Sequence, residues 1–150
     1  MASDITLEVG HVGLNVTDLS RSQRFYEAAF GLQTIGVSEA AGRRYAFLGA
    51  GGQLMLTLWQ QSDGGFDTAR PGLHHLAFRV PTMAEVERVE SRLRELGARF
   101  LYDGVVAHGE AASSGGVYFA DPDGIRLEIY APAGAESRPA PSDGPACGFF

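Results

Sequence analysis

His11-Val12-Gly13-Leu14-Asn15-Val16 and His75-Leu76-Ala77-Phe78-Arg79-Val80 read as two strands in one frame. A strand turns alternate side chains to opposite faces. In the first, Val12, Leu14 and Val16 make an apolar face and leave His11, Gly13 and Asn15 on the other. In the second, Leu76, Phe78 and Val80 are apolar, which leaves His75, Ala77 and Arg79. A third strand, Arg126-Leu127-Glu128-Ile129-Tyr130, puts Leu127 and Ile129 on its apolar face and Glu128 opposite. Two imidazoles and a carboxylate therefore fall on faces that hydrophobic patterning does not claim. Two His and one carboxylate make the ligand set of an open metal site, with one side of the ion left for substrate or dioxygen.

Working outward from these frames, the chain repeats itself. The first half predicts a strand over 8–16, a helix over 19–30, and strands over 33–38, 43–49 and 53–60. The second predicts a strand over 73–80, a helix over 82–96, and strands over 99–103, 115–120 and 125–130. Each half is a β-α-β-β-β unit, and His11 and His75 stand 64 positions apart. Asp18 and Ser20 can cap the first helix, whose apolar stripe includes Phe25, Ala29 and Phe30. Val86, Val89, Leu93 and Leu96 recur at helical spacing in the second, with Glu and Arg on a solvated face. Gly31 and Gly97 follow the last apolar turns, where a left-handed cap belongs. The expected organisation is one domain over 1–131, with module one at 8–60, a linker at 61–72 and module two at 73–131. Residues 132–150 form a Pro/Ala/Gly-rich tail, expected to be a mobile extension. Its apolar end, Cys147-Gly148-Phe149-Phe150, suits either a free end or docking on a groove.

Composition narrows the function classes. The net charge of −6 argues against nucleic acid, whose phosphates need a basic face. All 12 basic residues are Arg, which excludes Schiff-base and lysine-ammonium chemistry. No apolar run approaches the roughly 20 residues needed to span a bilayer. The start of the chain lacks the basic and apolar regions of a signal peptide, so a cytoplasmic location is expected. The single Cys147 cannot form an internal disulfide and reads as an incidental surface thiol.

Three stretches carry a family likeness. They are His11 to Leu19 with Arg24-Phe25-Tyr26 and Gly31-Leu32; Gly72-Leu73-His74-His75-Leu76-Ala77-Phe78; and Tyr118-Phe119-Ala120-Asp121-Pro122-Asp123-Gly124-Ile125-Arg126-Leu127-Glu128. With them the chain resembles the vicinal oxygen chelate superfamily. That group includes glyoxalase I, extradiol dioxygenases, methylmalonyl-CoA epimerase, and fosfomycin and bleomycin resistance proteins. The resemblance implies an α+β fold of two tandem βαβββ modules whose sheets curve into a cup with a metal at its base. It implies ligands at His11, His75 and Glu128, the residues that strand alternation selects. His74 lies on the opposite face, out of register with His11.

Superimposing Gly52–Leu56 on Gly124–Glu128 puts Leu56 where many relatives carry a fourth ligand. A leucine cannot bind a metal. This counts against glyoxalase I, with its four-ligand zinc or nickel site, and favours three-ligand relatives using iron or manganese. The spacing Tyr118 to Glu128 follows the extradiol signature, in which the tyrosine helps to hold a substrate oxygen. That signature also has an upstream histidine, for which His108 is the candidate, one or two residues too far away. Fosfomycin transferases use a threonine where this chain has Gly13. Bleomycin-binding proteins usually lack the metal ligands.

The expected cofactor is one divalent metal, Fe2+, Mn2+, Zn2+ or Ni2+, holding both oxygens of a small bidentate substrate as a Lewis acid. Tyr118 suits either a hydrogen-bond donor to a bound oxygen or a core aromatic. His108 suits either an acid–base group or a loop residue in solvent. Arg79 can pair with a substrate carboxylate or with a structural acid. Gly13 and Ala77 keep the cup floor small, Asn15 shares that face, and Leu54, Leu56, Leu58 and Trp59 form an apolar wall for the substrate body. Family members of this length usually form homodimers, often with modules exchanged so that one site draws on two chains. The expected function is an extradiol-type dioxygenase or glyoxalase-like lyase, and the competing one a binding or antibiotic-resistance protein without turnover.

Overall fold

The computed structural model describes residues 5–148. The chain divides into two compact units, Met1–Asp63 and Gly64–Phe150, parting inside the expected linker. The first unit runs β1 (Val12–Asn15), α1 (Leu19–Phe30), β2 (Gln33–Ser38), β3 (Tyr45–Ala50) and β4 (Gln53–Trp59). Its sheet has the order β1-β4-β3-β2, with β1 parallel to β4 and the other pairs antiparallel. Asp18 Oδ1 accepts the Arg21 N–H at 2.9 Å, and Gly31 ends α1 at φ 70°, in the left-handed region that glycine tolerates. The helix buries Leu19, Phe25, Tyr26 and Ala29, and it packs on β3 and β4. Leu14, Val16, Ala46, Leu48, Leu56 and Leu58 supply the matching core from the sheet.

The first strand is shorter than the 8–16 expected. Its ladder to β4 begins at Val12, opposite Leu56, so His11 stands just outside it. Ile5, Leu7 and Val9 keep the alternating pattern but are 73, 86 and 81% exposed. Alternation alone makes no strand where no neighbour supplies hydrogen bonds.

The second unit runs β5 (Leu76–Arg79), α2 (Met83–Glu95), β6 (Arg99–Phe100), β7 (Val106–Ala107), β8 (Gly115–Ala120) and β9 (Arg126–Ala131). Its order is β5-β9-β8-β6, with β7 also paired to β8 and β5 parallel to β9. Glu85 closes the start of α2, its carboxylate accepting the Thr82 N–H at 3.1 Å. Asp121 Oδ1 accepts the N–H groups of Asp123 and Ile125, both at 2.9 Å, and so builds the tight β8–β9 turn. The expected strand at 99–103 contracts to two residues, and β7 has no counterpart in the sequence pattern. No described helix is long and apolar enough to cross a membrane.

The tail departs from the expectation of a mobile extension. Ala135 N–H donates to Ser113 O at 2.9 Å, Ala107 N–H to Pro139 O at 2.8 Å, and Ala146 N–H to His108 O at 3.0 Å. Tyr102 Oη donates to Ala146 O at 2.6 Å, and Arg138 bridges to Glu87 of α2 at 2.6 Å. Ala146 is buried beside Val106 and Tyr118, and Cys147, expected as a surface thiol, packs against the same cluster. A proline- and glycine-rich composition argues for disorder only while there is nothing to bury. Here Ala135 fits beside Gly115, Ala146 packs on Val106 and Tyr118, and β7 gains a backbone partner. Phe149 and Phe150, the apolar end that suits docking, lie outside the described residues.

Truncation after Ala131 should therefore leave Ala107 N–H and His108 O without partners and uncover Val106 and Tyr118. The melting temperature should fall by at least about 5 °C by circular dichroism. A melt identical to that of the full chain would mean that the tail adds nothing to the second unit.

Candidate metal centre

Glu128 organises the second unit's polar face. Leu127 and Ile129 turn to the core, and Glu128 between them is 3% exposed on the other side of β9. Tyr118 lies directly opposite on β8 and donates its Oη to Glu128 Oε1 at 3.0 Å. His108 follows β7, and its Nε2 meets the same Oε1 at 2.5 Å. Its Nδ1 pairs with Ser114 Oγ at 2.8 Å, while its N–H donates to Ser114 O, so both ends of the loop fix the ring. His75 immediately precedes β5, and its Nε2 stands 3.6 Å from Glu128 Oε2.

The two carboxylate oxygens thus do different work. Oε1 takes two hydrogen bonds, whereas Oε2 faces His75 across a gap too long for a hydrogen bond. Two donors each about 2.1 Å from one ion stand roughly 3.0–3.4 Å apart, so the spacing needs little adjustment to suit a shared metal. His75 Nδ1 meets His74 Nδ1 at 2.8 Å. With the proton of that contact on His75 Nδ1, Nε2 turns a lone pair toward Oε2. The His74 carbonyl accepts Arg126 Nε–H at 2.9 Å.

Electrostatics favour these roles. Burial pulls the His75 imidazole below the ordinary histidine value, His74 and Arg126 push the same way, and Glu128 opposes them. A neutral imidazole is the form that binds a metal. Tyr118 is pushed far up, by burial first and then by the Glu128 charge and hydrogen bond, so its phenol keeps its proton and remains a donor.

In the first unit His11 is exposed. Gly13 pairs with Thr57 as Ala77 pairs with Glu128, so Thr57, and not Leu56, is the counterpart of the carboxylate. The expected alignment is one residue out, and one residue turns a strand side chain to the opposite face. Leu56 is fully buried on the core side, so it lines no cavity wall. Thr57 Oγ1 accepts the Trp59 Nε1–H at 2.9 Å. A neutral hydroxyl already engaged in this way is a poor fourth ligand, so three side-chain ligands remain the most this pattern offers. A Cβ on Gly13 would lie 3.2 Å from that oxygen, which puts Gly13, Thr57 and Trp59 on one face with little space to spare. Asn15 Oδ1 accepts the Gln61 N–H at 3.0 Å. Arg79, at the end of β5, has no side-chain partner among the described residues. Also among the described residues, no group of three or more His, Cys, Asp or Glu is gathered to hold a metal. In the second unit His108 Nε2 is spent on Oε1, and His11 belongs to the first.

Ser114, Thr57, Tyr45 and Phe47 are absent from the sequence-based expectation, which names Trp59 alone of this ring cluster. Strand parity counted from β1 is the signal that finds Thr57. Ser114 leaves no signal, because its role depends on the path of the loop.

The family model of the Glyoxalase/Bleomycin resistance protein/Dioxygenase superfamily matches residues 8–129. The chain belongs to that superfamily. A catechol-2,3-dioxygenase of Bacillus subtilis (strain 168) is 29% identical over 126 residues, covering 82% of this chain but only 41% of that protein. The chain thus spans less than half of this relative's length. Among solved structures of the superfamily, a domain from Frankia sp. EAN1pec superposes with a TM-score of 0.72 at 29% identity, covering 85% of this chain and 99% of that one. The fosfomycin resistance protein FosX from Listeria monocytogenes, as a glutamate-to-glutamine mutant with Mn(II) and 1S,2S-dihydroxypropylphosphonic acid, has a TM-score of 0.65 at 20% identity. The match covers 85% of this chain and 93% of that one, a likeness of fold.

Proposed function

We propose that this chain is a divalent-metal-dependent enzyme that chelates two adjacent oxygens of a small organic substrate, of the extradiol dioxygenase or glyoxalase-like lyase type. His11, His75 and Glu128 are the ligands in this reading. The observation that carries it is the division of labour at Glu128, with Oε1 held by Tyr118 and His108 and Oε2 left facing a neutral His75. When bound, an Fe(II), Mn(II), Zn(II) or Ni(II) ion supplies Lewis-acid polarisation of the chelated oxygens. Tyr118 fixes the carboxylate and, with its proton retained, stands as a donor beside the ligand. His108, with Nε2 against Glu128 Oε1 and Nδ1 against Ser114 Oγ, is the acid–base candidate. Members of the superfamily often form dimers, and we take the working form to be a homodimer in which two copies can share a site.

The fosfomycin-modifying reading is weaker, because Gly13 stands where its threonine is expected. Binding without turnover would leave the His108–Glu128–Tyr118 arrangement without a task.

The test is metal quantification on aerobically purified protein, followed by oxygen uptake against catechols and α-hydroxy-ketones. Near-stoichiometric metal with uptake on a catechol is the expected result. Metal content that stays the same in His11→Ala, His75→Ala and Glu128→Gln chains would sink the reading.

A further inference from the structure

The first unit carries a second feature, at the far end of the sheet face that bears Gly13 and Thr57. A pocket of about 200 Å³ opens there, lined by Arg43, Arg44, Tyr45, Trp59, Gln60 and Gln61. Tyr45 and Trp59 are direct cross-strand neighbours with ring centroids 5.2 Å apart. Phe47, outside the lining, braces both rings, stacked on Tyr45 at 5.0 Å and edge-on to Trp59 at 5.9 Å. The indole N–H is spent on Thr57, which fixes the ring and leaves its face as what it can offer. The Gln60 N–H donates to Arg44 O at 3.0 Å, pinning the loop to the strand. Gln60 Oε1 accepts from Leu19 N–H at 2.9 Å, and its Nε2 has no hydrogen-bond partner among the described residues.

The charges are what give the pocket a preference. Four arginines pair with acids, Arg70 with Asp67, Arg88 with Glu85, Arg94 with Glu90 and Arg138 with Glu87. Arg43 and Arg44 are exposed and have no side-chain hydrogen bond or ion pair among the described residues. They stay unpaired although acids outnumber basic residues 18 to 12 in the chain. Two arginines lining one pocket with Tyr45 and Trp59 suit a planar anion, with a ring on the aromatic faces and a carboxylate on a guanidinium fork.

We propose that this pocket binds a small aromatic carboxylate, which makes a carboxylated aromatic the substrate class. This rests on the reading above that the chain takes a small organic substrate. The volume is below that of pockets for drug-sized ligands, which favours a single ring.

Trp59 is the chain's one tryptophan, so its emission reports on the pocket directly. The experiment titrates chelator-treated full-length protein with benzoate, benzamide and acetate. Benzoate should give a saturable change in emission, with benzamide and acetate at least about tenfold weaker. An Arg43→Gln/Arg44→Gln chain should bind benzoate no better than benzamide while melting at the parental temperature. Equal binding of benzoate and benzamide, equal binding of acetate, no saturable signal, or full benzoate affinity in the double variant would each overturn the proposal. Because the protein is metal-free throughout, failure here leaves the metal reading intact. Conversely, a chain that never loads metal but still binds benzoate would overturn that reading alone.

Discussion

A Glu128→Gln chain should lose divalent-metal affinity by at least about a hundredfold while remaining folded. The magnitude follows from the proposed role: outer-shell partners of metal ligands already cost about 10–100-fold, and a carboxylate ligand would here lose its own charge. The amide keeps the shape of the carboxylate. Its oxygen can still accept from Tyr118 and His108 on the Oε1 side. The NH2 group then takes the Oε2 position, where it presents hydrogens instead of lone pairs toward the ion and toward His75. Alanine would confuse the result, because it strands the buried Tyr118 hydroxyl at a cost of about 1–3 kcal/mol. Metal analysis after dialysis against a buffered metal series measures the effect, with a thermal melt as the control for folding. Tyr118→Phe is the companion variant, since it removes one hydrogen bond but no ligand, and its loss should stay within about tenfold. Parental metal content in Glu128→Gln would remove Glu128 from the ligand set.

The residues legible in the sequence are those whose role depends on short-range parity. His75 and Glu128 fall on the uncommitted faces of their strands because alternation is local and needs no knowledge of partners. The caps at Asp18 and Gly31 and the turn built by Asp121 are legible for the same reason: each satisfies backbone groups within four residues of itself. Counting across a connection is what fails. Matching Gly52 to Gly124 aligns Leu56 with Glu128, but the two units turn differently before their last strands, and the ladder to β1 puts Thr57 in that place. The tail misleads in another way. Its composition describes a chain with nothing to bury, whereas Ala135 fits beside Gly115 and Ala146 packs on Val106 and Tyr118. His108 counts as too distant from Glu128 in sequence because the path of residues 108–114 is set by its own hydrogen bonds to Ser114, which no spacing rule anticipates. The paired arginines at 43 and 44 carry no signal in sequence, since only the fold brings them beside Trp59.

The largest effect on folding should come from the smallest substitution, Gly116→Ala. A Cβ at Gly116 would sit 2.6 Å from Tyr130 Cα and 2.8 Å from the Ile129 carbonyl carbon. These are backbone atoms of β9, not the end of a side chain that can rotate away. Gly116 is the residue paired with Tyr130, so relief requires β8 and β9 to separate within their ladder. That ladder is the one that sets Tyr118 opposite Glu128, two pairs further along. Overpacking normally costs about 1–3 kcal/mol, and here no rotamer can absorb it, so a loss above about 3 kcal/mol is expected. In a marginally stable domain that is a large share of the total. Gly109→Ala is the matched control, because a Cβ there meets nothing within 4 Å. It lies in the same unit, one residue from His108, and should change stability by less than about 0.5 kcal/mol. Urea melts of the two variants decide the matter. If Gly116→Ala unfolds at the midpoint of Gly109→Ala, the close approach of β8 and β9 is wrong, and with it the geometry that holds Tyr118 to Glu128. If it melts far earlier, then strand spacing is what holds Tyr118 opposite Glu128.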